Sequence, residues 1–296
     1  MTYPDARALL RKYGLRAKKT WGQNFLVDER TFTEIVRQSG AGPDDTVIEI
    51  GAGLGTLTAR LALVAGRVIA VERDRDMVAI LRAELAGNEL VVVAEANALT
   101  FDYLAAAAAP FAPPRPDTAA PARPPIVVGN LPYQIASPIL FGLLALGPRL
   151  GRIIVMLQAE MAQRIVAAPD TPDYGALTVM VKRVGEPRLV HRVAAGCFHP
   201  APRVASAVLR IDPLRVPRCS TSDEGWFSKV VHAAFGQRRK TLRNALRTIA
   251  EPPVIERALT DAAIDGQRRG ETLDEAEFAR LSDMLLRARF GDQPAL

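Results

Sequence analysis

Cysteine and histidine are scarce in this chain. Its 296 residues include two cysteines, Cys197 and Cys219, and three histidines. Two cysteines cannot form the disulfide framework of a small secreted domain, and their spacing to the histidines does not match a zinc site. We therefore expect no metal ion and a reducing compartment such as the cytoplasm.

Long hydrophobic runs are absent as well. The most apolar stretch, residues 135–147, is too short to span a bilayer and contains Pro138. The first residues include Asp5, Arg7 and Arg11 where a signal peptide would carry an apolar core. We therefore expect no membrane association, and a cytoplasmic monomer.

Positive charge is in excess, and much of it lies near the N-terminus. A net charge of +6 and a pI of about 9.6 favour a polyanionic partner. Residues 1–30 hold seven Lys or Arg against three acids. Here Arg16, Lys18 and Lys19 could contact phosphates while Trp21 or Phe25 covers a base. The alternative is a solvated basic helix end with Phe25 in the core.

Short β-branched runs alternate with helical segments along most of the chain. Strands are predicted at residues 46–50, 67–71, 90–93 and 152–157, and helices at 76–86, 139–146 and 159–167. Strands that alternate with helices form βαβ units, so we expect an α/β fold with a largely parallel sheet. Residues 204–211 are expected to close the sheet as a late antiparallel strand.

Composition divides the chain into three parts. We expect a basic N-terminal arm at residues 1–30, an α/β domain at 31–213 and a small helical domain at 214–296, where the strand pattern ends. A loop at 110–125, with seven prolines in sixteen positions, interrupts the α/β domain. Capping-box spacing at residues 31–34 predicts a helix that starts at Thr31.

The sequence Val-Val-Gly-Asn-Leu-Pro-Tyr at residues 127–133 reads as a buried strand that stops abruptly. Ligands in α/β sheets bind beyond the carboxyl ends of strands. An uncharged amide at Asn130 and a flat ring at Tyr133 suit a nucleobase. A turn followed by a core tyrosine is the alternative. Residues 198–202 (Phe-His-Pro-Ala-Pro) present a second aromatic, with His199 as a turn residue.

A glycine-rich turn follows the first predicted βαβ strand, at residues 49–56 (Glu-Ile-Gly-Ala-Gly-Leu-Gly-Thr). We expect its backbone N–H groups to face a ligand. Thr56 stands where the dinucleotide fingerprint needs a glycine. Glu72 ends the next strand and could accept both ribose hydroxyls, and Asn97 could contact an adenine edge. The pattern favours S-adenosylmethionine over NAD; the alternatives are a helix-capping turn, a solvated Glu72 and an ordinary turn at Asn97.

A second cationic stretch, residues 236–247, has five Lys or Arg and no acid. Leu242 and Leu246 lie one turn apart, which predicts a helix with one apolar and one cationic side. Such runs usually mark a solvated face, but the missing acids favour phosphate contact. The predicted RNA-binding residues here are Arg238, Arg239, Lys240 and Arg243.

Four motifs, at residues 22–26 (Gly-Gln-Asn-Phe-Leu), 49–53, 130–133 and 198–202, together resemble the ribosomal RNA adenine N6,N6-dimethyltransferases over nearly the whole chain. Residues 235–242 and 268–273 are similar to the small-subunit branch. The resemblance implies a Rossmann-like methyltransferase sheet with a helical C-terminal domain. It also implies S-adenosylmethionine-dependent N6,N6-dimethylation of adenosines in a 3′-terminal hairpin of 16S ribosomal RNA, linked to small-subunit biogenesis. The alternatives are a large-subunit methylase of the erythromycin-resistance type, a nucleotide-dependent oxidoreductase and a non-catalytic RNA-binding assembly factor.

The resemblance also implies roles for individual residues. The cofactor would be held by Asn24, Leu26, Gly51, Glu72, Asn97 and Asn130. The target base would be held by Asn130, Leu131, Pro132, Tyr133 and Phe198. The sequence departs from the family at Asn97 and Ala205, where Asp is common, and in the proline-rich loop.

Overall fold

The computed structural model describes residues 3–18, 21–110, 123–237 and 239–291. These residues form two compact units, one of residues 1–162 and 187–213, the other of residues 163–186 and 214–296. The predicted boundary after residue 213 coincides with one division between the units, whereas residues 163–186, which the prediction placed in the α/β domain, pack with the helical unit. Most of the predicted proline-rich loop, residues 111–122, lies outside the described residues.

The first unit is built on a sheet of seven strands among the described residues, in the order β4-β3-β2-β5-β6-β9-β7. The strands are β2 (Thr46–Ile50), β3 (Arg67–Glu72), β4 (Val91–Glu95), β5 (Ile126–Asn130), β6 (Ile153–Gln158), β7 (Gly185–Val193) and β9 (Ser206–Pro213). Strands β2 to β6 run parallel, and β9 is antiparallel to β6. The predicted α/β fold is confirmed. β9 is antiparallel as expected, but β7, not β9, closes the sheet.

The central strands of the sheet are rich in apolar side chains that lie in the core. Nearly every residue of β2, β3, β5 and β6 is buried, as expected for parallel strands with both faces covered. The helices of this unit are α1 (Ala6–Lys12), α2 (Glu29–Ser39), α3 (Thr56–Leu61), α4 (Arg75–Glu84), α5 (Tyr103–Ala108) and α6 (Ala136–Ala145). Because Ile50 pairs with Val71 on one side and Gly129 on the other, the carboxyl ends of β2, β3 and β5 meet at one edge.

The N-terminal residues are part of this unit and do not form a separate arm. Helix α1 buries Leu9 and Leu10, and the Tyr3 hydroxyl donates to the Leu54 carbonyl (2.8 Å). Helix α2 begins at Glu29, earlier than predicted, because the Asp28 carboxylate caps it by accepting from the backbone N–H of Thr31 (2.8 Å).

A two-stranded antiparallel sheet joins two of the sequence motifs. β1 (Phe25–Leu26) pairs with β8 (Phe198–His199), with Leu26 opposite Phe198. The backbone N–H of Val27 also donates to the Cys197 carbonyl (2.8 Å). Residues more than 170 positions apart in the sequence are thereby held side by side.

The second unit is helical. Its helices are α8 (Ala176–Val184), α9 (Glu224–Gly236), α10 (Leu242–Ala245), α11 (Pro252–Asp261) and α12 (Glu275–Phe290), while α7 (Ala159–Val166) passes from the first unit into the second. Buried Tyr174, Phe227 and Phe278 lie in its core. The predicted helical C-terminal domain is confirmed, but the described part of residues 239–248 contains, in place of the predicted cationic helix, the short α10 and a following 3-10 turn.

Candidate active site

A cavity of about 400 Å³ lies at the carboxyl ends of β2, β3 and β5. This volume is in the range of small-molecule and cofactor sites. Residues of three predicted motifs line it together, namely residues 21–26, 49–54 and 130–135, with Glu72 and Asn97 from the ends of β3 and β4. The parallel sheet therefore brings together the cofactor side and the base side that the sequence predicts.

The glycine turn after β2 differs from the prediction in one respect. Gly51 and Gly53 have φ values of 70° and 55°, a region open to glycine at little cost. However, the Gly51 N–H donates to the Val71 carbonyl (2.9 Å), and the Gly53 N–H donates to Glu72 Oε2 (2.8 Å). The N–H groups of these two glycines form hydrogen bonds within the protein, so neither is free to bind a pyrophosphate.

Glu72 lies on the cavity wall at the end of β3. Its Oε1 accepts from the backbone N–H groups of Arg73 (2.7 Å) and Asp74 (2.8 Å). Burial raises the pKa of this carboxyl despite those hydrogen bonds. Because Oε2 accepts one bond, from the Gly53 N–H, it retains a lone pair that can accept from the ribose.

Asn97 also lines the cavity, in a turn after β4. Its Oδ1 accepts from the backbone N–H of Leu99 (3.1 Å). The sequence predicts that this amide contacts an adenine edge. Because this oxygen is already engaged, the atom that the amide presents most readily is its Nδ2 donor, which matches a ring nitrogen of adenine.

Asn130 ends β5 and faces the cavity. Its Nδ2 donates to the Asn24 carbonyl (3.1 Å), so Oδ1 is the atom of this amide that remains to accept. The next residue, Leu131, is buried, and its backbone N–H donates to the Met156 carbonyl (3.2 Å). The strand end is thus held from two sides.

Pro132 and Tyr133 continue the cavity wall after Leu131. The Tyr133 hydroxyl and Ser206 Oγ form a hydrogen bond of 2.7 Å, which fixes the ring from β9. Burial raises the pKa of Tyr133, so the phenol stays neutral. Its ring is a candidate surface for stacking.

Phe198 does not lie on the cavity wall. Its ring is 2 % exposed and packs in the core of the first unit with Leu26 and Phe32. The reason is its pairing: Leu26 and Phe198 lie opposite each other in the ladder, so their side chains share one side. The predicted role of Phe198 as a second aromatic face for the base therefore needs correction.

The predicted RNA-binding cations are not equivalent. Arg16, Arg239 and Lys240 are exposed. Lys18 Nζ contacts Asp74 Oδ1 and Asp76 Oδ2 (both 2.7 Å), and Arg243 Nε contacts Glu256 Oε1 (2.6 Å). Because their charges are paired inside the protein, Lys18 and Arg243 are weaker candidates for phosphate contact. Lys19 and Arg238 lie outside the described residues.

Two carboxyl groups at the site were not singled out from the sequence. Glu49 is 2 % exposed, lines the cavity and accepts from Thr58 Oγ1 (2.5 Å). Burial raises the pKa of Glu49 to about 8, with a smaller contribution from Glu72. Asp74 caps α4 and binds the N-terminal segment. Glu49 could have been identified from the sequence, because it belongs to a predicted motif. Asp74 could not, because the residues of the N-terminal segment that bind it lie more than 50 positions away in sequence.

The cavity fits S-adenosylmethionine better than a dinucleotide. The Glu72 carboxylate would attract the positive sulfonium and ammonium groups of that cofactor and would repel a pyrophosphate, whereas burial keeps the Glu49 carboxyl neutral. The N–H groups of Gly51 and Gly53 also favour S-adenosylmethionine, because they form hydrogen bonds within the protein and would not bind a pyrophosphate. Among the described residues, no cluster of three or more His, Cys, Asp or Glu is placed to hold a metal, and no helix is long and apolar enough to cross a membrane.

Comparisons with known proteins identify the family. The family model described as ribosomal RNA adenine dimethylase matches residues 14–286. A ribosomal RNA small subunit methyltransferase A from Anaeromyxobacter sp. (strain K) is 47 % identical over 291 residues, which is 96 % of this chain and 98 % of the relative.

Two solved structures share the fold. A dimethyladenosine transferase from Plasmodium falciparum has a TM-score of 0.71 at 22 % identity, over 86 % of this chain and 95 % of that one. The 23S rRNA methyltransferase ErmE has a TM-score of 0.64 at 28 % identity, over 88 % of this chain and 99 % of that one. The family match covers almost the full length of the chain. The protein therefore belongs to the ribosomal RNA adenine dimethylases, S-adenosylmethionine-dependent methyltransferases with a Rossmann-like sheet.

Proposed function

We propose that the protein dimethylates the N6 atoms of adenosines in a 3′-terminal hairpin of small-subunit ribosomal RNA, as a cytoplasmic monomer that acts during subunit assembly. The observation that carries this proposal is the orientation of Asn130. With Nδ2 committed to Asn24, the amide presents an acceptor, and the exocyclic amine of adenine is a donor. The relative from Anaeromyxobacter, named for the small subunit, supports the choice of RNA.

Asn130 and Leu131 would hold the target nitrogen. Adenine N6 is a poor nucleophile, because its lone pair is delocalised into the ring. Hydrogen bonds from N6–H to Asn130 Oδ1 and to the Leu131 carbonyl would favour a pyramidal nitrogen with its lone pair directed into the cavity. The cofactor supplies an electrophilic methyl group when it is bound. Positioning the two reactants in line would provide much of the rate enhancement.

Tyr133 would stack on the target base, while Pro132 stiffens the backbone before it. Positive charge develops on the nitrogen during transfer, and both the π face of Tyr133 and the carbonyl dipoles would stabilise it. No general base is needed before transfer, since the methylated nitrogen can lose its proton to water. The base must leave its stack to reach the cavity, which an unpaired hairpin loop allows.

The cofactor would lie along the opposite wall. Glu72 would accept the ribose hydroxyls, Asn97 would contact the adenine, and Gly51 would support the amino-acid end. Asn24 and Leu26 would cover it from the N-terminal side, and Asn130 would mark the boundary with the target base.

The test is primer extension on both ribosomal RNAs after incubation with the protein and S-adenosylmethionine. N6,N6-dimethyladenosine blocks base pairing, so two adjacent stops should appear near the 3′ end of the small-subunit RNA. Stops on large-subunit RNA alone would replace this function with that of the erythromycin-resistance type. RNA binding without stops on either RNA would indicate a non-catalytic assembly factor.

A further inference from the structure

The N-terminal strap, which we define as Lys18 and residues 21–26, connects two walls of the cavity. Residues 21–26 line the cavity itself. On one side the strap contacts the end of β3, and on the other side it contacts the end of β5. The last two residues of the strap form β1, which pairs with β8. Anything that positions the strap thus affects both the cofactor wall and the base wall.

Asp74 holds the strap at the β3 end. Its side chain is 2 % exposed, and its carboxylate accepts from Lys18 Nζ and Gln23 Nε2, both at 2.7 Å. Gln23 Oε1 in turn accepts from the backbone N–H of Lys18 (2.8 Å). Burial alone would raise the pKa of Asp74, but the hydrogen bonds from Lys18 and Gln23 hold it below its usual value. The carboxylate is therefore ionised, and its Oδ1 also accepts from the backbone N–H of Asp76 (3.1 Å).

The same residue is joined to Glu72. The backbone N–H of Asp74 donates to Glu72 Oε1 (2.8 Å), which fixes the carboxylate proposed to accept the ribose. At the other end of the strap, the Asn24 carbonyl accepts from Asn130 Nδ2. Gln23 and Asn24 are neighbours in sequence. A continuous path of hydrogen bonds and one peptide unit thus runs from Glu72 through Asp74, Gln23 and Asn24 to Asn130.

We propose that Asp74 is a positioning residue that couples cofactor binding to the orientation of the Asn130 amide through the N-terminal strap. This inference rests on the proposed function, which gives Glu72 and Asn130 their roles. Asp74 is not among the residues that line the cavity. It sets the position of the residues that do.

The test exploits the donor and acceptor order of the network. In Asp74→Asn the new Nδ2 faces Gln23 Nε2, donor against donor. In Gln23→Glu the new carboxylate faces that of Asp74, acceptor against acceptor. In the double variant Asp74→Asn/Gln23→Glu the pair is complementary again, with the amide at 74 donating to the carboxylate at 23. Asp76→Asn is the matched control, because Asp76 also contacts Lys18 but is half exposed and does not contact Gln23.

Calorimetry with S-adenosylmethionine alone gives the first readout. Each single variant should raise the Kd about ten-fold, the loss expected for one charge-assisted hydrogen bond. The double variant should recover to within about three-fold of the wild type, and Asp76→Asn should stay within about two-fold, as is usual for an exposed ion pair. Single-turnover methylation should fall in the single variants, with the Kd for RNA unchanged.

Single variants that fold and bind S-adenosylmethionine with the wild-type Kd would overturn the inference. A double variant whose loss of affinity equals the two single losses combined would also overturn it. Thermal melting identifies a variant that fails to fold, and the other single variant then carries the comparison. The calorimetric values need no RNA. They would therefore stand if ribosomal RNA were not methylated, a result that would count against the proposed function instead.

Discussion

At the scale of single residues, the direction of each hydrogen bond decides what a side chain can offer to a ligand. Asn130 and Asn97 are the same residue type at the ends of parallel strands of one sheet, yet they present different atoms. Asn130 donates to Asn24 and keeps its oxygen, whereas the Asn97 oxygen accepts from Leu99. The sequence shows two amide side chains, and only the fold shows which atom of each already forms a hydrogen bond within the protein.

Replacing Asn97 with Asp should strengthen cofactor binding. A carboxylate can keep the bond from the Leu99 N–H and still accept from the adenine amine with a full charge. We expect the Kd for S-adenosylmethionine to fall about three- to ten-fold, because the charge-assisted hydrogen bond gained at the adenine amine is stronger than the neutral one from Asn97 Nδ2 that is lost at the ring nitrogen. Calorimetry measures this, with Asn97→Ala as the control that should weaken binding. An unchanged Kd in both variants would remove Asn97 from the cofactor site.

At the scale of secondary-structure elements, the buried strands could be predicted and the polar edge could not. β2, β3 and β6 were predicted within a few residues because each is a short apolar run. β7 was missed, because Pro187 and the polar residues around it interrupt the apolar pattern, which is typical of an edge strand. The direction of the Phe198 side chain could not be predicted either, since it depends on the pairing of β8 with β1.

Strand β2 also contains a buried carboxyl, that of Glu49, which lowers the free energy of unfolding at high pH. Its pKa is about 8 in the folded chain and near 4.5 in the unfolded chain. The unfolded state therefore releases this proton first, and stability falls as the pH rises from about 4.5 to about 8. Glu49→Gln should abolish that dependence and raise the free energy of unfolding at pH 8.5 by a few kcal/mol, on the order of what such a pKa shift implies.

Thermal melting of the cofactor-free protein at pH 5 and pH 8.5 measures this effect. The two proteins should melt at similar temperatures at pH 5 and separate at pH 8.5, with the variant higher. Identical melting temperatures for the two proteins at both pH values would show that Glu49 is ionised in the folded chain.

At the scale of the whole molecule, charge is distributed unevenly between paired and unpaired cations. Some of the cations in the sequence form ion pairs within the protein, as Lys18 and Arg243 do. Arg239 and Lys240, in the helical unit, are exposed, and no ion pair is found for either within the ranges that the structure describes. The sequence predicts a basic surface, and the structure distinguishes its exposed members from those whose charges are paired within the protein.

Charge reversal at Arg239 and Lys240 should weaken RNA binding and flatten its dependence on salt. For each phosphate that the protein no longer neutralises, the slope of log K against log salt should become shallower by about 0.7 to 0.9. Arg257→Glu is a suitable control, because Arg257 is exposed in the same unit but paired with Asp261. Filter binding at several salt concentrations gives the slopes. Equal slopes for the double variant and the wild type would show that these cations face only solvent.

The central claim is that the amide oxygen of Asn130 holds the target adenine N6 for methyl transfer. Its most direct test is single-turnover methylation of small-subunit RNA by Asn130→Ala, measured beside the Kd values for RNA and S-adenosylmethionine. We predict a loss of transfer of about a hundred-fold or more, as for other preorganised hydrogen bonds to a reacting centre, with the RNA Kd nearly unchanged. Transfer within a few-fold of the wild-type rate would contradict the account.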